Sequence, residues 1–326
     1  MGPRALILWG AAAVVSTAAS VYVSIDAQRG VAEAARLDEP VFTALRAAPE
    51  TAAAITIGHE DREIRVVREG ARWVVPARHG YAADEDAVRE LMTGFADLRW
   101  AGPRTAMPER YARLEVDDPG AGSAAKRVTV TAEDGAVLVD AIIGKRSRAI
   151  TADERGTYLR LVDGERAWLA AGTVDVPTAA VDWLDTDLPS FAPDELELVV
   201  VEPAEGEGFT VGRTTAEEDM TLIDQVPEGR EADADQIRRL ASAFAGLRFE
   251  DVRPVGAVDW PAPVTTVTGT GFDGETVTVE LASLGGEDDR WARFEEVGDW
   301  VYRLPSFQAD RLDKRLDDLL TTPEAS

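Results

Sequence analysis

Cysteine is absent from the 326-residue sequence. This excludes disulfides, thiolate nucleophiles, cysteine-ligated zinc, iron–sulfur clusters and a lipidated-cysteine anchor. Lysine is nearly absent: only Lys126, Lys145 and Lys314 occur, so arginine carries almost all the positive charge. The only histidines are His59 and His79. They sit among charged and turn residues, without the paired spacing of zinc ligands. Positive charge as a whole is scarce: 34 Lys+Arg stand against 60 Asp+Glu, for a formal net charge of −26. Such a surface repels phosphate backbones and anionic lipid headgroups, which excludes nucleic acid as a partner.

What is present begins with an uncharged run. Between Arg4 and Asp26 the chain reads ALILWGAAAVVSTAASVYVSI, residues 5–25, with Trp9 and Tyr22 near its ends. A helix of that length spans about 30 Å, the thickness of bilayer hydrocarbon. Arg4 and the free amine precede it, so the positive-inside rule keeps the N-terminus in the cytoplasm. The expectation is a single-pass anchor in the cytoplasmic (inner) membrane with a periplasmic or otherwise extracytoplasmic body. A cleaved signal peptide is the competing reading, and Thr17 and Ala19 are small enough for a peptidase. After the run, Pro40 should interrupt a helical stalk, leaving Val41, Phe42 and Leu45 to dock on the body.

The body contains an internal repeat. Residues 81–100 (YAADEDAVRELMTGFADLRW) align with 230–249 (READADQIRRLASAFAGLRF) at a shift of 149, with nine of twenty positions identical. Both segments place apolar residues at helical spacing: Val88, Leu91, Met92, Phe95 and Leu98, then Ile237, Leu240, Ala241, Phe244 and Leu247. Asp84 and Asp233 are the expected N-caps. Alternating runs flank each helix, with Asp134-Gly135 and Asp273-Gly274 as hairpin turns. Each unit therefore reads as three strands, a helix and four strands. The expected fold class is α+β: a transmembrane helix, then two tandem repeats of mainly antiparallel strands with one amphipathic helix each. The expected boundaries are 1–47 for anchor and stalk, 48–190 for the first repeat and 191–326 for the second. Residues 306–320 read as one closing helix with Phe307, Leu312, Leu316, Leu319 and Leu320 on its apolar side.

Candidate chemical motifs dissolve on inspection. Gly269, Gly271 and Gly274 match the letters of a dinucleotide fingerprint, but the alternating ETVTVEL that follows is a strand, so a hairpin turn is expected. Gly144-Lys145 lacks the rest of a phosphate loop and reads as a turn after a strand ending at Ile143. Asp182, Asp185 and Asp187, and Glu287 to Asp289, are dense in carboxylates but lack the spacing of a calcium loop. Most tryptophans neighbour apolar strand residues and read as core. Trp183 and Trp260 lie in loop-like contexts and are the candidate interface residues. No catalytic, cofactor-binding or metal residue is assigned.

Several features together resemble one family. They are the N-terminal span, the Trp-containing ARWVV strand (residues 71–75), the capped GYAADEDAVRELM helix (residues 80–92) and the IIGKRS segment (residues 142–147). The YLRL and AWLA strands and DWLDTDL (residues 182–188) follow. This pattern, from about residue 40 onward, is similar to the bacterial envelope proteins called domain of unknown function 4340. The resemblance implies a non-enzymatic accessory subunit beside gliding-motility-type ABC transporters, with permease and ATPase subunits as partners, and it supplies no catalytic residues. The alternative is a periplasmic binding module for an envelope polymer or small ligand. An envelope hydrolase using paired carboxylates is a third reading, from the abundance of acids alone.

Overall fold

The computed structural model of the protein describes residues 35–148, 155–286 and 289–322. The apolar run of residues 5–25 lies outside them. Among the described residues no helix is long and apolar enough to cross a membrane. The chain forms two compact units. The first comprises residues up to Pro76 with Ala82–Trp183, and the second comprises Ala77–Tyr81 with Leu184 onward.

The architecture is mainly antiparallel sheet with a few short helices. In chain order the first sheet uses β1 (Ala52–His59), β2 (Arg62–Glu69), β3 (Arg72–Val75), β4 (Tyr81–Ala82), β5 (Arg99–Pro103), β6 (Lys126–Ala132), β7 (Val137–Ser147), β8 (Gly156–Leu161) and β9 (Ala167–Ala171). Across the sheet their order is β4-β3-β2-β1-β6-β7-β8-β9-β5. The second sheet uses β10 (Leu196–Pro203), β11 (Phe209–Gly212), β12 (Thr221–Leu222), β14 (Asp251–Pro254), β15 (Thr265–Gly271), β16 (Thr276–Ser283), β17 (Arg290–Phe294) and β18 (Trp300–Arg303). Its order is β12-β11-β10-β15-β16-β17-β18-β14. Strand for strand, the second sheet reproduces the first apart from β4. Even a register irregularity recurs: one lies between Ala52 and Ala54 in β1, another between Leu196 and Leu198 in β10.

Short turns account for the antiparallel order. Gly70, Gly135 and Gly274 take positive φ (64°, 85° and 83°) at the β2–β3, β6–β7 and β15–β16 connections, a conformation that glycine adopts without steric cost. Asp134 accepts a hydrogen bond from Ala136 N at 2.9 Å, and Asp273 from Glu275 N at 2.9 Å, the Asx geometry that closes such turns.

The three helices that follow the stalk pattern or the repeat pattern are short. They are α1 (Thr43–Ala47), α2 (Glu85–Asp97) and α3 (Ala234–Ala241). Asp84 accepts from Asp86 N and Ala87 N at 2.8 and 3.0 Å, and Asp233 accepts from Asp235 N and Gln236 N at 2.9 and 3.1 Å. These are the N-caps the sequence predicts. In the first unit α2 buries Val88, Leu91, Met92 and Phe95 over the sheet residues Ile55, Ile57, Val128 and Val130. Phe42 and Leu45 dock beside it: Leu45 is fully buried and Phe42 meets Phe95 edge-on at 5.4 Å. In the second unit Ile237, Leu240, Phe244 and Leu247 are buried as expected. The helix, however, tightens into a 3₁₀ turn at Ser242–Phe244. Ala243 is buried there in place of the expected Ala241, because a 3₁₀ turn rotates side chains faster than α-helical spacing does.

Three expectations are corrected. The first concerns β5 and β14, which follow each helix, and the two-residue β4 and β13 (Glu231–Ala232) before it. None carries the alternation that would mark it. The second is the closing helix, which is not continuous. α4 (Ser306–Leu312) ends where Asp313 leaves helical geometry, a 3₁₀ turn follows at Leu316–Leu319, and β19 (Leu320–Thr321) pairs with β13. Leu312, Leu319 and Leu320 are buried as expected, but Phe307 is 56% exposed. The third is Gly144-Lys145, which forms no turn. β7 continues through it to Ser147 with a register shift between Ile143 and Arg146. Lys145 N donates to Leu114 O at 3.1 Å, and a Cβ on Gly144 would collide with that same carbonyl.

Candidate functional site

Arginine in this protein is largely committed to holding loops. In the first unit Arg160 is buried on the sheet face opposite α2. It donates to Val116 O at 3.0 Å, reaches Asp118 at 2.5 Å and stacks 4.9 Å from the Tyr111 ring. It thereby fastens the 104–125 connection over a small apolar cluster of Tyr111, Val116, Ala125, Ile142 and Ala167. In the second unit Arg213 spreads its guanidinium over backbone carbonyls: Leu196 O at 2.9 Å, Ala216 O at 2.8 Å and Pro193 O at 2.5 Å. A fork of five donors suits it to several carbonyls at once. Arg213 and Arg238 line a cavity of about 160 Å³ beside Met220 and Ser242. Arg238 is itself paired with Asp235 at 2.8 Å.

A second polar centre is Asp313, whose side chain is 14% exposed. Thr265 donates to it at 2.5 Å, Arg315 at 2.9 Å and Arg290 at 3.3 Å. Burial pushes its carboxyl up. The Thr265 and Arg315 hydrogen bonds and the Arg315 and Arg290 charges outweigh that, holding it below the usual carboxylate range. Arg290 also bonds Ser283 on β16. This network ties the end of α4 to β15, β16 and β17 and is the reason the closing helix stops at Leu312.

Within the second unit Tyr81 lies edge-on to Phe249, Trp300 and Tyr302, with ring centroids 5.7, 4.9 and 6.1 Å away. Burial pushes both the Tyr81 and Tyr302 phenols up, so both stay neutral and serve as packing.

The residues singled out from sequence fall as follows. Trp183 sits in the 3₁₀ turn Ala180–Trp183, fully buried, and donates from Nε1 to Pro177 O at 3.2 Å. Its carbonyl accepts from Asp84 N at 2.9 Å. As an interface candidate it is corrected: the ring is core and offers no face to a partner. Trp260 is half-buried and keeps part of its surface. Of the histidines, His59 Nδ1 lies 3.1 Å from Ala125 O, and His79 occupies a turn at φ 57°. Asp182 accepts from Ala179 N and Asp185 from Asp187 N, so these carboxylates cap their own turns. Glu287 and Asp288 lie outside the described residues. Among the described residues no three acidic or histidine side chains converge as a metal site requires.

What sequence reasoning missed is an edge. The expected third strand of the second repeat is present as β12, but its place at the rim of the sheet depends on where β13 goes, 90 residues from its partner β19. Nothing local carries that signal. Ile223 and Val226, just beyond β12, are 59% and 39% exposed.

No curated protein and no solved structure matches the chain. The family model described as Domain of unknown function (DUF4340) matches residues 73–265, from β3 to the start of β15. That span exceeds half of the chain, and the protein belongs to this family.

Proposed function

We propose that this protein is a non-enzymatic, membrane-anchored accessory subunit whose body stands outside the cytoplasm. The complex it serves is an ABC transporter of the gliding-motility-auxiliary type. The observation that carries the reading is the uncharged run of residues 5–25 joined to a body of the DUF4340 family. The commitment of Arg160, Arg213, Arg290 and Arg315 to carbonyls and to one buried aspartate supports a scaffold rather than a reaction centre. The acidic surface supports it too, since a body with net charge −26 stays clear of anionic lipid while its anchor holds it near the membrane.

Two measurements test this. Alkaline carbonate extraction of membranes from the native host should leave the full-length chain in the pellet. Deleting residues 1–34 should move it to the supernatant, and co-sedimentation with transporter permease and ATPase subunits should disappear with the anchor. A full-length chain found in the soluble periplasm, cut near residue 20, contradicts the anchor and favours a free extracytoplasmic protein.

A further inference from the structure

The two sheets share one strand order but not one rim. In the first sheet β4 lies outside β3 and closes the edge. In the second, the corresponding two residues before the helix, β13, pair with β19 instead, as Glu231↔Thr321 and Ala232↔Leu320. β12 is therefore the terminal strand of the second sheet. Val211 faces Leu222 and Gly212 faces Thr221 across the β11–β12 pair, and Ile223 N donates inward to Thr210 O at 2.9 Å. Hydrogen bonding alternates along a strand, so Leu222 turns its N–H and C=O outward, away from β11.

Natural edge strands are usually blunted by lysine, proline or a covering element. Thr221-Leu222-Ile223 carries no lysine or proline; β12 is only two residues long and α3 packs near it, but its outward edge is paired with no strand. Residues 214–219 and 223–229 are exposed throughout. Beside the strand runs a groove of about 600 Å³ lined by Leu198, Gly212, Thr221 and Ile223, with Glu218 and Asp219 at its rim. Gly212 shapes it: an added Cβ would lie 2.9 Å from both Ile223 Cδ1 and Leu198 Cδ1. Acids outnumber bases around this apolar strip: Glu197 and Arg213 also line the groove, and the Arg213 guanidinium is taken up by backbone carbonyls. From Glu217 to Asp235 there are eight acidic residues and one arginine. That arginine, Arg230, donates to Leu320 O at 3.1 Å.

We infer that the β12 edge accepts an extended segment of another protein, one that alternates apolar side chains with lysine or arginine. Its backbone adds a strand beyond β12 through Leu222, its apolar residues pack beside Thr221 and Ile223 on the groove's outer side, and its basic residues meet the acidic rim. Main-chain pairing supplies affinity and the alternate pockets supply specificity in recognition of this kind. A second copy of this chain is disfavoured, because two edges of the same negative charge would face each other. The inference goes beyond the accessory-subunit reading and holds whichever complex the chain joins.

The test is hydrogen exchange over residues 220–226 of the full-length protein in detergent, with two synthetic probes. One is an acetylated, amidated peptide of alternating Lys and Val, and the other replaces Lys with Glu at equal length. The Lys-Val peptide should slow exchange in this segment at least tenfold, and the effect should fall as salt rises. The Glu-Val peptide should leave exchange unchanged. Leu222→Pro should abolish the protection without changing thermal stability, because the N–H it removes points outward. Ile223→Lys, an exposed change that keeps the backbone donor, should weaken it severalfold. Equal protection by both peptides, protection by neither, protection that survives Leu222→Pro, or concentration-dependent dimerisation through this edge would each overturn the inference.

Discussion

Gly144 carries a constraint that no neighbouring residue shares. A Cβ there would stand 2.2 Å from Leu114 O, 2.9 Å from Glu115 O and 2.7 Å from Val116 Cγ1. Gly144→Ala must push the 114–116 segment away from β7, and that segment is held by the buried Arg160. The expected cost is about 2–3 kcal/mol, as for other overpacked sites, read as a lowered urea midpoint with unchanged slope. Asp313 is the second residue whose role is readable as a number. Its folded-state carboxyl titrates below the ordinary range, so its contribution to stability is present above the unfolded value of about 3.9 and is lost as pH falls through the folded value. Asp313→Asn should cost about 1–3 kcal/mol at neutral pH. It should also flatten the acid limb of the stability–pH curve measured by thermal unfolding. An acid limb as steep as the parent's would place the titrating group elsewhere.

At the scale of elements, the N-caps are the clearest case of sequence determining local structure. Asp84 and Asp233 each accept two backbone N–H bonds, and each precedes an acidic first turn. Asp84→Ala and Asp233→Ala should each lower stability by about 1 kcal/mol. The double variant should lose the sum, since the two caps share no hydrogen-bond partner. These caps, the Asp-Gly hairpins and most of the alternating strands were legible because each depends on residues within a few positions of one another. β5 and β14 were not. Arg99–Pro103 and Asp251–Pro254 contain glycine or proline, lack alternation, and exist because β9 and β18 offer them an edge. The break in the closing helix was hidden for the same reason: Asp313 reads as one more polar helix position until Thr265, 48 residues away, donates to it. Trp183 read as a loop residue because the chain around it is irregular, yet irregular backbone does not imply exposure. Its ring lies in the core while its carbonyl receives Asp84 N from the start of α2.

The whole molecule is dominated by its charge. Its ion pairs are mostly exposed, such as Arg89–Asp86 and Arg62–Glu60, and such pairs contribute about 0–1 kcal/mol each. A net charge of −26 opposes compaction throughout the body. Raising sodium chloride from about 10 to 500 mM shortens the screening length from about 30 Å to well under 10 Å. The thermal midpoint should therefore rise with salt, since relief of self-repulsion outweighs the weakening of exposed pairs. A midpoint that falls would mean the ion pairs outweigh the net charge. The same charge limits the company the protein keeps, leaving partners that are neutral or basic where they touch it. The repeat was visible in the sequence as nine identities in twenty residues, but the difference between its two copies, a closed rim in one sheet and an open one in the other, emerged only in three dimensions.

The role proposed for this chain is that of a membrane-held member of a transporter assembly. Mild-detergent purification of the tagged full-length protein from native membranes, followed by mass spectrometry of what accompanies it, tests this most directly. Permease and ATPase subunits of one ABC transporter recovered near stoichiometry are the predicted result. Recovery of the chain alone from membranes, under conditions that keep other transporter complexes intact, would contradict it.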